Sequence, residues 1–175
     1  MSTDPIAFPE GIDERHIQPV SGWQHHASPL SLAVFGVVVA LALAGMLGHE
    51  REWTVQNGAT ELSVHMPALI RNGEFLEMRI GVESAEAIGE LVIGVEQAIW
   101  EDMTVNTLIP AATEEASEDG EFRFTFADLA AGTPFLFKVD AQVNPDIFGG
   151  NEGIVTVYDG EEPLAEIRVD VGVLP

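Results

Sequence analysis

The chain contains no cysteine, which removes disulfides, thiolate zinc sites and cysteine nucleophiles together. Positive charge is scarce. Seven Lys and Arg stand against 29 Asp and Glu in 175 residues, a formal charge of -22. A protein binds a phosphate backbone by neutralising it with Lys and Arg, so the composition argues against nucleic acid as a partner. The same charge repels an anionic lipid surface and favours partners that offer basic surface. Hydrophobic residues make up 46% of the chain, an ordinary share that is unevenly spread.

The unevenness begins at Pro29. From there to Gly48 the sequence reads PLSLAVFGVVVALALAGMLG, without one charge. Twenty residues of helix at about 1.5 Å each span roughly 30 Å, the thickness of a hydrocarbon core. Ser28 and Pro29 form a good helix start, Trp23 and Trp53 flank the run as interfacial anchors, and His49-Glu50-Arg51-Glu52 ends it. The expectation is a single transmembrane helix over 29–48. Ala42-Leu43-Ala44 also fits a signal-peptidase pattern. The preceding 28 residues, however, carry four acids and one Arg, where a signal peptide wants a short positive region, so an uncleaved anchor is expected. Gly36, Ala40, Ala44 and Gly48 recur every four residues and form a small-residue stripe that lets a second helix approach closely.

Residues 1–28 read as an irregular tail. His16, His25 and His26 lie in it, with no acid or thiol at ligand spacing to complete a metal site. Residues 49–59 read as a juxtamembrane linker. From residue 60 to 175 the hydrophobic period is two. Leu62, Val64 and Met66 alternate with polar residues, as do Leu76, Met78, Ile80 and Val82, and then Leu91, Ile93 and Val95. Phe122, Phe124 and Phe126 follow, then Phe135, Phe137, Val139, Ala141 and Val143, then Val155 and Val157, then Ile167, Val169, Val171 and Val173. Alternation of this kind buries one face of a strand and wets the other. Asn72-Gly73, Asp119-Gly120, Asn144-Pro145 and Asp159-Gly160 punctuate the runs as turns. About seven or eight short strands without a helical window predict an all-β, immunoglobulin-like β-sandwich, with Trp100 as a core plug and the Phe rows as core.

Little reads as chemistry. The acids around Glu114–Glu121 and Asp159–Glu162 lack the alternating ligand spacing of a calcium loop and read as solvated turns. His65 is the domain's one histidine after the juxtamembrane His49, and no nucleophile elbow accompanies it. No catalytic residue, metal or cofactor is expected, and the chain reads as non-enzymatic. The Phe148-Gly149-Gly150-Asn151 loop is the first candidate for an interaction loop.

Leu69–Ile80, Thr107-Leu108-Ile109-Pro110-Ala111-Ala112 and Val143-Asn144-Pro145 before a Gly-rich turn resemble stretches of a family of uncharacterised bacterial single-pass membrane proteins. The resemblance supports a bacterial membrane anchor followed by a β-domain and implies no activity. A short polar tail before the helix and a full domain after it lead to the expectation of an inner-membrane protein with a cytoplasmic N-terminus and a periplasmic domain. The leading expectation is therefore an accessory subunit of a bacterial membrane complex, photosynthetic or respiratory for example. It would dock to other subunits through its helix and cover an extracytoplasmic face. The alternative is a stand-alone, membrane-anchored binding or sensor module that uses its sandwich loops.

Overall fold

A computed structural model describes residues 22–44, 49–144 and 149–174, with side chains from Ser28 onward. The chain divides into two units at residue 44. Among the described residues the first holds one helix, α1 (Gly22–Leu43), with Pro29 inside it. The helix thus begins before the apolar run, and the run's last residues, 45–48, lie outside the description, as do the tail residues 1–21. Among the described residues no helix is long and apolar enough to cross a membrane; side chains are described only from Ser28. Leu30, Leu32, Val34, Phe35 and Leu43 are exposed.

The second unit is a β-sandwich. Its strands are β1 (Glu50–Asn57), β2 (Thr60–Pro67), β3 (Leu69–Arg71), β4 (Phe75–Ser84), β5 (Leu91–Glu96), β6 (Met103–Ile109), β7 (Glu114–Glu118), β8 (Glu121–Thr125), β9 (Phe135–Val143), β10 (Asn151–Asp159) and β11 (Glu162–Leu174). One sheet has the order β1-β2-β4-β9-β6 and the other β3-β11-β10-β5-β8-β7. All pairings are antiparallel except β3 with β11.

The fold follows from the alternation. On β2, β4 and β9 every second residue from Leu62, Leu76 and Phe137 onward turns inward, and Val64, Met78, Ile80, Phe137, Val139 and Ala141 are completely buried. Leu91, Ile93, Val95, Val155, Val157 and Val169 face them from the second sheet, equally buried. Phe124 lies between Trp100 and Phe137, at centroid distances of 5.8 and 5.2 Å, and Phe126 meets Phe137 edge-on at 5.1 Å. Offset and edge-on geometries of this kind are favoured beyond simple burial. Two buried hydroxyls, Thr60 and Ser84, satisfy each other at 3.2 Å.

Several segments differ from expectation. Residues 50–57 are not linker: they pair along their full length with β2, because Trp53 and Val55 point at the core and pack on it. The acid-rich Glu114–Glu118 segment is not a loop but β7. It has little apolar content of its own and is held by its ladder to β8. The turn between them puts Asp119 at φ 49° and Gly120 at φ +85°, the double left-handed geometry of a tight hairpin turn.

The two sides of the sandwich are unlike. On one side β1 and β2 meet β11, tied by Asn57 Nδ2 donating to the Leu164 carbonyl at 2.6 Å and by an Arg51–Asp170 pair at 3.4 Å. On the other, the edge strands are β6 and β7.

Phe137 touches both other core phenylalanines and is fully buried. Phe137→Ala is therefore expected to lower the unfolding free energy by about 3–5 kcal/mol, read from the midpoint shift in chemical denaturation at unchanged slope.

Candidate functional site

Between β6 and β7 the sheets part and leave a groove of about 440 Å³. Trp100, Leu108, Phe122 and Phe124 form its apolar walls, and Glu115 and Ser117 stand at its rim. Its position follows from the chain path. After β5 a short 3-10 turn, Gln97–Trp100, carries Ile99 and Trp100 inward. The chain then crosses to the first sheet as β6 and returns to the second as β7, so consecutive strands become the two facing edges.

Trp100 is held from three directions. Its ring stacks on Phe122 at 5.6 Å and 25°. The turn that carries it is braced by Asn151, whose Nδ2 donates to the carbonyls of Ile99 at 3.1 Å and Glu101 at 2.7 Å. Gly153 makes room for the turn, since a Cβ there would lie 2.6 Å from Ile99 Cγ1. Trp100 is only 7% exposed, yet its Nε1–H has no hydrogen-bond partner among the described residues. A buried donor left unmade costs about 1–3 kcal/mol.

The rim carries the charge. In the β7–β8 register Glu115 lies opposite Phe124 and Ser117 opposite Phe122. Opposed residues share a face of the sheet, so Glu115 and Ser117 are on the inward side of the edge strand. Ser117 Oγ accepts from Gln97 Nε2 at 2.7 Å. An inward charge on an edge strand also discourages indiscriminate pairing of that edge. On the outward side of β7, Glu114 is exposed and Glu118 lies 3.9 Å from Arg123.

The other polar clusters serve the sheets. On the outer face of the second sheet, Arg123 donates to Glu161 at 2.9 Å and to Glu121 at 3.4 Å, and lies over the Tyr158 ring at 4.9 Å. These ion pairs, Glu161 foremost, hold the Arg123 guanidinium charged well above its already high ordinary pKa. Tyr158 Oη donates to Glu121 Oε2 at 3.0 Å. The cluster sits over Gly94, where a Cβ would approach Glu121 Oε2 to 2.9 Å. On the first sheet His65 Nε2 is 3.2 Å from Glu50 and Arg79 bonds Glu77. His65 thus faces a carboxylate and a guanidinium on the sheet surface, with no hydroxyl nucleophile among the bonds it makes. Among the described residues no three His, Asp or Glu converge as a metal site.

The residues singled out from sequence are scattered. Gly36 and Ala40 are exposed on α1, and Ala44 follows its last turn, exposed as well. Gly48, Phe148 and the side chain of Trp23 lie outside the described residues. Trp53 is half-buried in β1 beneath Arg51, whose guanidinium is 4.8 Å from its ring centroid, and packs against the sandwich core. The described end of the candidate loop is also committed to packing. Gly150 has φ +111° and its Cβ position is 2.0 Å from the Val171 carbonyl oxygen, while Asn151 braces the Trp100 turn.

No family model matches the chain, and no curated protein matches it. Among solved structures, a non-cellulosomal cohesin from the hyperthermophilic archaeon Archaeoglobus fulgidus is similar with a TM-score of 0.43 at 13% identity, covering 61% of this chain and 86% of that one. The solution structure of CaCohA2 from Clostridium acetobutylicum is similar with a TM-score of 0.44, again at 13% identity, covering 67% and 93%. Values this low assign no family, and the sandwich stands on its own strand pairings.

Two expectations follow. Asn151→Ala removes both braces on the Trp100 turn; a loss of about 1–3 kcal/mol with altered near-ultraviolet dichroism is expected. Tyr158 is raised above the ordinary phenol pKa by burial first and by its bond to Glu121 second. The folded state therefore keeps this proton where the unfolded chain releases it. That contribution is full below about pH 10 and is lost as pH rises through the folded value. Denaturation of wild type and Tyr158→Phe between pH 9 and 11 checks it: wild type should lose stability with the steeper slope.

Proposed function

We propose that this chain is a membrane-anchored, non-catalytic binding module whose immunoglobulin-like sandwich takes its ligand in the groove between β6 and β7. The observation that carries the reading is the groove itself. It is apolar, of a volume typical for ligand sites, bounded by two sheet edges and walled by Trp100 and Phe122. The absence of catalysis is supported by the described polar clusters, whose members are spent on one another across the sheet surfaces. Anchorage rests on the charge-free run from Pro29 to Gly48, twenty residues in sequence and long enough for a hydrocarbon core. Display of the domain outside the cytoplasm, with the tail inside, is part of the same proposal.

A second reading is favoured by one observation. Gly36 and Ala40, one turn apart, are exposed on α1, and among the described residues nothing lies within 4 Å of a Cβ placed on Gly36. That face accepts a close helix, as an accessory subunit of a larger membrane assembly would require.

Titration of the full-length protein in detergent with an apolar, environment-sensitive dye tests the first reading. Saturable one-to-one binding is expected. Ser117→Trp, which fills the groove from its rim, should weaken that binding about tenfold while leaving the unfolding midpoint near wild type. Dye binding indifferent to Ser117→Trp would remove the groove as the site. For the anchor, alkaline carbonate should leave the full chain in the membrane pellet and release a variant lacking 29–48. For the second reading, Gly36→Leu with Ala40→Leu should abolish co-purification of partner subunits; retention of those subunits would exclude helix docking.

A further inference from the structure

We infer that the occupant of the groove is an extended peptide segment with alternating apolar and basic residues, which adds itself as a strand to the free edge of β7. The inference rests on the reading of the groove as the binding site and names its ligand class.

Three observations converge on it. The first is the edge. β7 is paired on one side, by β8, over all of Glu114–Glu118 in unbroken register. Its other side carries unpaired main-chain donors and acceptors, the template that strand addition uses. The competing edge, β6, has a register irregularity between Val105 and Thr107, which interrupts the regular spacing an added strand needs.

The second is the floor. A strand laid along β7 would alternate its side chains between the two faces of the sheet. Those on the inward face would cover Phe122 and Leu108, which are partly buried and line the open groove.

The third is charge. The outward residues of the new strand would stand beside Glu114 and Glu118, and Glu114 has no ion-pair partner among the described residues. Glu101 and Asp102 lie in the turn that leads into β6. Cross-strand pairs of opposite charge are favourable and like charges opposed across a ladder are not. Lys or Arg at alternate positions is therefore selected. A second copy of this chain is disfavoured, because its β7 would bring Glu against Glu.

The test uses full-length protein in detergent and a fluorescein-labelled heptapeptide, Val-Lys-Val-Lys-Val-Lys-Val, read by anisotropy at low salt. Saturable binding is expected. Methylating alternate backbone nitrogens, which blocks the ladder and keeps the side chains, should abolish it. Replacing every Lys with Glu should abolish it as well. Glu114→Gln with Glu118→Gln should weaken it about two- to fivefold while leaving dye binding unchanged. Equal binding of the methylated peptide would overturn strand addition. Absence of peptide binding, with dye binding that still responds to Ser117→Trp, would overturn the peptide assignment and leave the groove as a site for another ligand. Loss of both signals in a folded protein would overturn the groove as well.

Discussion

Each sheet of this sandwich has one face that water must not reach, and the rest of the molecule follows from how far that seal extends. The inward rows of β2, β4 and β9 and those of β5, β10 and β11 close on each other and on the Phe124–Phe126–Phe137 cluster. Burial of this kind gives the largest favourable contribution to a small domain's stability, and it sets which residues turn outward. The charged networks of Arg123 and Arg79 occupy those outward positions. Where a partner is exposed, as Glu161 is, the pair stabilises little; the more buried Arg123–Glu121 pair fixes the register of the outer face.

The seal is asymmetric. Where β1 and β2 meet β11 the edges are tied by Asn57 and Arg51. Where β6 and β7 stand, the sheets splay around Trp100, and the aromatic row ends in a groove. The same residue that plugs the core thus walls the opening. Asn151, far from Trp100 in sequence, secures it from β10. An edge strand with little apolar content, Glu114–Glu118, is tolerable because β8 supplies the pairing and because its acids keep the edge soluble.

Much of the sandwich is legible in the sequence. Rows such as Leu76-Met78-Ile80-Val82 and Phe135–Val143 declare their strands by a period of two, and Asn72-Gly73 and Asp119-Gly120 declare their turns. The Leu69–Ile80 stretch covers β3, its turn and the start of β4. The strands that sequence reasoning misses are those whose signal is tertiary. Glu50–Asn57 carries charges and one Trp, and becomes a strand because β2 offers a partner. Glu114–Glu118 looks like a solvated loop, and becomes an edge because β8 is beside it. The groove is illegible for the same reason: the spacing of Trp100 and the Phe row marks them as core, and nothing in it says that the core is left open beside them.

By itself, then, the sequence determined the local and the compositional: an apolar run without charge, a β-rich remainder, turn positions, a strongly acidic surface and no thiol chemistry. These depend on residues within a few positions of one another or on bulk counts, so a linear reading captures them. Tertiary structure alone decided which strands are edges, that Gly150 and Asn151 serve packing, and that an unpartnered indole N–H sits beside an open apolar groove. Those properties arise from pairings between residues tens of positions apart, and the order of strands in a sheet is set by the global burial of both faces, which no local pattern encodes.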